Sequence, residues 1–186
     1  SVHSRAARVR LAVFDVDGIM TDGTLYLDDD GRELKGFNSL DGHGMKMLAA
    51  TGVRLAILTG RRSRCVELRA KNLGIELLWQ GVEDKRAGFA EILAATGVTA
   101  GEAAYMGDDV IDLPVLIRCG FAVSVPDAHA LVRRHVHYVT RAGAGRGHCA
   151  NPWPCAYRRW ARCACWPASD NVCWQARPIW RRPKYS

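Results

Sequence analysis

Short apolar runs alternate with amphipathic segments over the first 141 residues, and this alternation limits the chain to a small set of folds. The apolar runs are continuous, which is typical of parallel strands that are covered on both faces. Strands that alternate with helices at this spacing predict an α/β fold with a doubly wound parallel sheet. The predicted strands are residues 9–14, 54–58, 75–79, 103–106, 121–125 and 138–140.

Capping residues set the ends of the predicted helices. Gly52 is expected to end the first helix, and Gly74 to end a second helix that begins after Ser63. A third helix is predicted over residues 85–96. The segment 99–102 has the sequence of a capping box, with Thr at its start and Glu three positions later.

One segment interrupts the alternation of strands and helices. Residues 24–37, TLYLDDDGRELKGF, carry two apolar–polar stretches around Asp30-Gly31, which is a hairpin signal. The hairpin directly follows the first strand, where such folds place insertions that cover a ligand. Two interpretations stay open at this point, a plain surface hairpin and a flap over a binding site.

The net charge of +7 is concentrated in the C-terminal tail. Residues 1–147 contain 19 Lys and Arg against 18 Asp and Glu, whereas residues 148–186 contain seven against one. A basic chain raises the hypothesis of a nucleic-acid partner. Because the main body is nearly neutral, we expect no nucleic-acid partner, and binding through the tail stays as a secondary alternative.

The tail also differs from the body in composition and pattern. It is rich in Arg, Cys, Trp and Pro, and it shows neither a strand nor a helix period. Its five cysteines form no C-x-x-C pair, so zinc ligation within the tail is not predicted. Elsewhere, no apolar run reaches the roughly 18 residues of a membrane span, and the N-terminus lacks a secretory pattern. We therefore expect a cytoplasmic protein with no membrane partner.

Polar side chains follow the first four predicted strands. Because the carboxyl ends of parallel strands meet at one edge, where open α/β sheets bind ligands, these side chains are expected to form one site. Crowded carboxylates need a cation, and ligands that are all oxygen favour Mg²⁺. A carboxylate can attack phosphorus while a second one moves a proton. The side chains in question are Asp15, Asp17, Thr59, Lys85, Asp108, Asp109 and Asp112.

These residues lie in motifs that resemble a known enzyme superfamily. DVDGIMTDG, ILTGR, Lys85 and GDDVID resemble the four motifs of the haloacid dehalogenase superfamily of phosphohydrolases. Finer matches, among them FNSLDGHGMKML and YVTRAGAGRG, resemble its 3-deoxy-D-manno-octulosonate 8-phosphate phosphatase family over about residues 9–147. The resemblance implies a Mg²⁺-dependent phosphatase of lipopolysaccharide synthesis that acts on a sugar-acid phosphate. It also implies a homotetramer without a large cap domain, in which the hairpin 24–37 closes a neighbour's site.

The resemblance further implies roles for individual residues. Asp15 would be the nucleophile and a metal ligand, and Asp17 the general acid and base whose backbone carbonyl also binds the metal. Thr59 and Lys85 would hold the phosphoryl oxygens, and Asp108 would bind the metal directly. The residues with supporting roles are Asp109 and Asp112. The implied substrate contacts are Asp17, Asn38, Ser39, Leu40, Asp41, Gly42, Lys46, Arg61, Arg69 and Lys85.

The chain departs from the family pattern at two places. The family usually has a basic residue where Leu40 stands, so weaker binding or a changed choice of substrate is expected. After Gly147 the family continues into an amphipathic helix, whereas this chain reads HCANPWPCAYRRW. We interpret the change as a shift of reading frame, which divides the chain into a phosphatase domain at 1–147 and an atypical tail at 148–186 that is expected to be disordered.

Two other functions compete with this interpretation. A second phosphatase of the same superfamily could act on another sugar phosphate, such as an acylneuraminate 9-phosphate. A signalling receiver domain also combines a doubly wound sheet with an aspartyl-phosphate. However, receivers place two adjacent acids after the first strand and lack the late G-D-D-x-x-D pattern that begins at Gly107.

Overall fold

The computed structural model describes residues 1–150, and a parallel sheet of six strands forms its centre. The sheet confirms the predicted fold class, and its strand order is β5-β4-β1-β6-β7-β8. Every neighbouring pair in it is parallel. Its strands are β1 (Leu11–Phe14), β4 (Arg54–Thr59), β5 (Leu77–Gln80), β6 (Ala103–Met106), β7 (Phe121–Ser124) and β8 (Tyr138–Val139).

The three central strands are almost completely buried, as their continuous apolar sequences predicted. Phe14 of β1 lies beside Ile57 of β4 on one side and beside Met106 of β6 on the other. All three side chains belong to the hydrophobic core. This register aligns the carboxyl ends of β1, β4 and β6, so the residues that follow these strands emerge together.

Helices connect the strands. Helices α2 and α3 contact each other, and α5 contacts both α4 and α6. Glycines in the left-handed conformation end two of them, Gly74 after α3 and Gly97 after α4. The helices are α1 (Val2–Ala6), α2 (Ser39–Ala50), α3 (Arg64–Leu73), α4 (Lys85–Thr96), α5 (Leu113–Leu116) and α6 (Ala130–His135).

The predicted hairpin is present and is mostly exposed. Strands β2 (Tyr26–Leu27) and β3 (Glu33–Leu34) pair antiparallel as a separate two-stranded sheet. Asp28 fixes the turn, because its Oδ1 accepts hydrogen bonds from the backbone N–H groups of Asp30 and Arg32. Gly31 supplies the positive φ of 75° that this turn requires.

The end of the described chain returns to the body of the fold. A 3₁₀ turn at His148–Ala150 lies against α2, and the side chains of His148 and Cys149 are buried. The predicted boundary after Gly147 therefore falls immediately before two residues that pack with the domain. The remainder of the predicted tail, to which the predictions of disorder and of secondary nucleic-acid binding apply, lies outside the described residues. Within residues 1–150, no helix has the length and apolar character that crossing a membrane requires.

Candidate active site

The turn after β1 places Asp15 at the centre of the candidate site. Asp15 is 5% exposed, and its backbone N–H donates to Met106 O at 2.9 Å, which extends the pairing of β1 with β6 beyond the strand. Its Oδ1 accepts a hydrogen bond of 2.7 Å from Val16 N. Gly18 then takes a φ of 79°, and a Cβ at this position would lie 2.1 Å from Asp108 Oδ2. Glycine is needed here because the turn must pass directly against a second carboxylate.

Lys85 joins Asp15 to a second buried carboxylate. Its Nζ lies 2.6 Å from Asp15 Oδ2 and 2.6 Å from Asp112 Oδ1, and its side chain is 1% exposed. Lys85 is the first residue of α4, and Asp84 caps that helix by accepting from Arg86 N and Ala87 N. Burial opposes the charge on Lys85, but the two carboxylates outweigh it and raise the pKa of the ammonium group.

Asp112 organises the loop after β6. It is fully buried, and its Oδ1 accepts the hydroxyl of Tyr105 at 2.6 Å as well as Lys85. Its Oδ2 accepts the backbone N–H groups of Asp108 and Asp109, each at 3.1 Å. Asp112 therefore fixes both the lysine and the loop that carries Asp108.

The crowding of carboxylates changes their acidity. In the protein alone, burial and then the charge of Asp112 raise the pKa of Asp15 to about 7, although Lys85 opposes the change. Burial, followed by the charge of Asp15, raises the pKa of Asp108 to about 7. Two neighbouring acids that resist ionisation at neutral pH are a site where a cation would be strongly stabilising.

The residues present fit a hard divalent cation. The carboxylates of Asp15, Asp108 and Asp112 each place an oxygen within 4.8 Å of the others. Asp108 Oδ1 is buried and has no hydrogen-bond partner among residues 1–150. Each oxygen of Asp112 already accepts two hydrogen bonds, whereas each oxygen of Asp15 accepts one, so Asp15 and Asp108 are the side chains best placed to hold Mg²⁺, which prefers oxygen ligands. The predicted contribution of the Asp17 backbone carbonyl stays a prediction.

A cavity of about 240 Å³ opens above these carboxylates. Thr59, which is buried at the end of β4, contributes to its wall. The cavity therefore joins the predicted nucleophile, both predicted phosphoryl contacts and the acids of the β6 loop. Its lining residues include Asp15, Asp17, Gly18, Thr59, Arg61, Lys85, Asp108 and Asp109. A larger groove of about 530 Å³ lies at Leu113 and Ile117 and contains none of the predicted site residues.

Asp17 faces the base of the hairpin. Its carboxylate forms an ion pair with Lys35, whose side chain is 1% exposed, and lies 3.8 Å from Arg61 Nε. Glu33 connects the two cations, because its Oε1 is 3.2 Å from Lys35 Nζ and 3.0 Å from Arg61 Nη2. The hairpin is thus tied by ion pairs to the predicted general acid of the same chain.

The predicted substrate segment, residues 38–42, forms the start of α2. Asn38 caps the helix by accepting from Leu40 N at 2.8 Å, and its Nδ2 donates to Gly145 O at 3.0 Å. Asp41 is buried, and its carboxylate accepts the N–H of Gly147 at 3.1 Å. These contacts join the segment to the end of the described chain.

The remaining predicted substrate contacts lie at different depths. Arg69 of α3 donates to Asn38 O at 3.0 Å and stands over the ring of Phe37, with its Cζ 5.6 Å from the ring centroid. It packs on Gly42, where a Cβ would lie 2.3 Å from its Nη2. Ser39, Leu40 and Lys46 are exposed. Of the predicted set beyond the catalytic residues, Arg61 alone lines the cavity that the structure describes, and roles for the others in binding substrate stay predictions.

Sequence reasoning missed three residues of this site. Lys35 and Glu33 lie within the predicted hairpin, but nothing in the hairpin pattern indicates that their side chains turn towards Asp17. Tyr105 looked like an ordinary apolar residue of β6, and only the structure shows its hydroxyl on Asp112. The pattern of one charged residue, Lys35, between Leu34 and Gly36 gave no signal of burial.

Comparison with known proteins adds to what the geometry of the site indicates about the family of this chain. No protein-family model matches the chain. It is 47% identical over 146 residues to a 3-deoxy-D-manno-octulosonate 8-phosphate phosphatase of Yersinia pestis, with 78% of each chain covered. The corresponding phosphatase of Escherichia coli K12 is 41% identical over the same length, again with 78% of each chain covered.

Solved structures that resemble this chain include phosphatases of the same kind. The Yersinia pestis phosphatase has a TM-score of 0.83 at 42% identity, with 87% of each chain covered. The phosphatase of Moraxella catarrhalis, in complex with a magnesium ion, a phosphate ion and a KDO molecule, has a TM-score of 0.82 at 34% identity and covers 85% of this chain and 91% of its own. A further neighbour, from Legionella pneumophila, is described as a haloacid dehalogenase (HAD) superfamily hydrolase and has a TM-score of 0.83 at 32% identity, covering 88% of this chain and 90% of its own. Given this likeness and the acids around Asp15, the chain belongs to the 3-deoxy-D-manno-octulosonate 8-phosphate phosphatase family of the haloacid dehalogenase superfamily.

Proposed function

We propose that this protein is a Mg²⁺-dependent phosphatase that hydrolyses 3-deoxy-D-manno-octulosonate 8-phosphate to the free sugar acid and phosphate, a step of lipopolysaccharide synthesis. The observation that carries the proposal is the position of Asp15. This carboxylate is buried at the base of an open cavity, near Lys85 and near Asp108 Oδ1, which has no hydrogen-bond partner among residues 1–150. The phosphatases named above supply the substrate class.

In the first half of the reaction, a carboxylate oxygen of Asp15 attacks phosphorus. The bond between phosphorus and the sugar oxygen breaks, and Asp17 gives that oxygen the proton it needs to leave as a hydroxyl. Lys85 and the hydroxyl of Thr59 stabilise the negative oxygens of the phosphoryl group during the transfer. When bound, Mg²⁺ neutralises charge on the phosphoryl oxygens and on the neighbouring acids.

In the second half, the aspartyl-phosphate is hydrolysed. The Asp17 carboxylate takes a proton from a water molecule, the water oxygen bonds to phosphorus, and the bond from phosphorus to the Asp15 oxygen breaks. Inorganic phosphate leaves, and both aspartates return to their starting states. Asp17 lies at the rim of the cavity, where it can exchange protons with solvent, because its side chain is 23% exposed.

The sugar acid carries a carboxylate as well as a phosphate, so it needs cationic contacts beyond Lys85. Arg61 supplies one such contact, since it lines the cavity with its side chain 51% exposed. We assign Lys46 and Arg69 as further contacts, together with the segment 38–42. Leu40 is 64% exposed at this segment. Leucine in place of the family's basic residue is therefore expected to weaken substrate binding without lowering the stability of the fold.

We also propose that the protein assembles as a homotetramer in the cytoplasm. The hairpin carries large apolar side chains that are about half exposed or more, which is typical of a surface that another subunit covers. These are Leu25 at 48%, Tyr26 at 49%, Leu27 at 63% and Leu34 at 64%. Within residues 1–150 the cysteines are free thiols, as is usual in a reducing compartment. Sedimentation velocity of wild type and of Leu27→Lys tests the assembly, with loss of the tetramer expected in the variant.

Phosphate release from a panel of sugar phosphates tests the substrate. The panel contains the octulosonate 8-phosphate, an acylneuraminate 9-phosphate and glucose 6-phosphate, each with Mg²⁺ and with EDTA. We expect the highest kcat/KM for the octulosonate ester and no turnover in EDTA. A preference for the nine-carbon ester would replace the substrate but keep the chemistry, whereas turnover in EDTA would contradict the metal dependence.

A further inference from the structure

A second cluster of metal-binding side chains lies outside the catalytic site. Asp41, His148 and Cys149 each offer one donor atom, and these atoms lie within 4.8 Å of one another. Their exposed fractions are 2%, 0% and 0%, so the cluster is closed to bulk solvent. The mechanism above uses neither His148 nor Cys149. The two residues follow Gly147 directly, where the resemblance to the family ends.

The backbone holds this cluster in shape. Asp41 stands in the first turn of α2, and its Oδ1 accepts Cys149 N at 2.7 Å while its Oδ2 accepts Gly147 N at 3.1 Å. These bonds fix the carboxylate against the 3₁₀ turn at 148–150. Each carboxylate oxygen has two acceptor positions, so Asp41 keeps capacity for a further partner.

His148 is the least satisfied member of the cluster. Its Nε2 lies 3.6 Å from Cys149 Sγ, and its Nδ1 lies 3.8 Å from Asp41 Oδ1. Nδ1 is buried without a hydrogen-bond partner of normal geometry among the described residues, although the backbone of Gly143 lies near the ring. Buried imidazole nitrogens are almost always paired, so a buried ring whose Nδ1 is unpaired and whose Nε2 has only a long contact to sulfur indicates a missing ligand.

We propose that Asp41, His148 and Cys149 form a binding site for Zn²⁺ that is separate from the catalytic Mg²⁺ site. Sulfur, imidazole nitrogen and carboxylate oxygen are the three donor types that Zn²⁺ takes. Tetrahedral bonds of about 2.3 Å to sulfur and about 2.0 Å to nitrogen set those two atoms about 3.5 Å apart. The observed separation of Sγ and Nε2, 3.6 Å, is close to this value, so Nε2 is the nitrogen that would bind the ion and Nδ1 would face Asp41.

The proposed site differs from the expectation for the tail. Zinc ligation was not predicted there because the tail cysteines lack paired spacing, but this site takes one ligand from α2, more than 100 positions earlier. Zn²⁺ binds Cys149 as the thiolate, so one proton is released to solvent for each ion bound. The ion would join the 3₁₀ turn to Asp41, which belongs to the segment 38–42 that we assign to substrate binding.

Cobalt(II) in place of zinc provides a direct spectroscopic test. One equivalent of Co²⁺ is added to the full-length, EDTA-treated protein in the presence of excess Mg²⁺, which fills the oxygen-only catalytic site. A thiolate bound to Co²⁺ gives a charge-transfer band in the near ultraviolet, whereas carboxylates such as Asp15 and Asp108 give none. We expect this band in wild type, its loss in Cys149→Ser, and its full retention in the control Cys65→Ser.

Two outcomes would overturn the proposal. The first is no charge-transfer band in wild type at one equivalent of Co²⁺. The second is an equal band in Cys149→Ser, because the thiolate would then belong to another cysteine of the chain. If Cys149→Ser does not fold, X-ray absorption of the zinc-loaded wild type decides. One sulfur at about 2.3 Å with nitrogen and oxygen at about 2.0 Å supports the site, and zero sulfurs or more than one contradict it.

Discussion

Two buried carboxylates in this protein, Asp15 and Asp41, have opposite surroundings. Asp15 meets the ammonium of Lys85 and two further acids, and burial raises its pKa to about 7. Asp41 accepts backbone N–H groups from Gly147 and Cys149 and has an imidazole and a thiol as neighbours. The first environment leaves a reactive oxygen beneath an open cavity, whereas the second uses the carboxylate to fasten two parts of the chain. A buried aspartate is therefore assigned to catalysis by its neighbours and its access to a cavity, not by its burial.

Replacing Asp15 should give the largest effect on the reaction. Asp15→Asn keeps the shape of the side chain but removes the nucleophile, so we expect kcat for phosphate release to fall by about 10⁴-fold or more. Exposed Glu76→Gln is the matched control and should retain wild-type kcat. Substantial turnover by Asp15→Asn with Mg²⁺ would show that another group attacks phosphorus.

Removing the cation of the catalytic cluster should give the largest effect on stability. Lys85→Met leaves Asp15 and Asp112 buried without their ammonium partner, and breaking a buried pair in this way costs about 3–5 kcal/mol. Urea unfolding in EDTA at pH 7 measures the loss. Lys71→Met, at an exposed position in the last turn of α3, should change the free energy of unfolding by less than about 0.5 kcal/mol. Equal free energies of unfolding for Lys85→Met and Lys71→Met would contradict the proposed structural role of Lys85.

Replacing Asp41, the carboxylate of the proposed zinc site, should affect the free energy of unfolding more than kcat. Asp41→Asn presents an amide NH₂ to one of two backbone donors, and we expect the free energy of unfolding to fall by about 1–3 kcal/mol. Turnover with saturating substrate should remain within about tenfold of wild type. A loss of kcat as large as that of Asp15→Asn would contradict the assignment of Asp15 to catalysis and of Asp41 to structure.

The smallest expected effect is on the pH dependence of stability. In the folded protein the pKa values of Asp15 and Asp108 are raised to about 7 from 3.8, so the folded state holds protons that the unfolded state has released. Their contribution to stability is present at low pH and is lost as pH rises through about 7. In EDTA, the free energy of unfolding should therefore fall by about 1.4 kcal/mol or more between pH 5 and pH 7.5, the value of one pKa unit.

Two additions separate this effect from other titrating groups. Asp108→Asn should reduce the slope, because it removes one of the two raised carboxyls and relieves the charge on the other. Saturating Mg²⁺ should also reduce it, since the cation stabilises the ionised forms. A slope that is identical in wild type, in the variant and with Mg²⁺ would contradict these pKa values.

The two clusters also differ in how much the sequence could predict. The catalytic cluster follows from strand ends, because the carboxyl ends of parallel strands meet at one edge and so bring Asp15, Thr59 and Asp108 together. The strand and helix positions were predicted to within a few residues for the same reason, as at Lys85–Thr96. Local sequence patterns were sufficient to predict the position of a residue where that position depends only on the residue's own strand or helix.

Contacts between distant segments were not predictable in this way. The pairing of Asp41 with Cys149 joins residues 108 positions apart, and no periodic pattern relates them. Lys35 is similar, because a polar residue in an exposed hairpin gives no signal that its side chain is buried against Asp17.

The central claim, that Asp15 forms a covalent phosphoryl intermediate, can be measured directly in Asp17→Asn. This variant lacks the base that activates water, but p-nitrophenyl phosphate releases a stable phenolate that needs no proton from Asp17. The variant is mixed with this ester and Mg²⁺ and quenched in acid, and the peptide that contains Asp15 is examined by mass spectrometry. We predict one phosphoryl group on Asp15. An unmodified Asp15 in this variant, or a phosphoryl group on any other residue, would contradict the account.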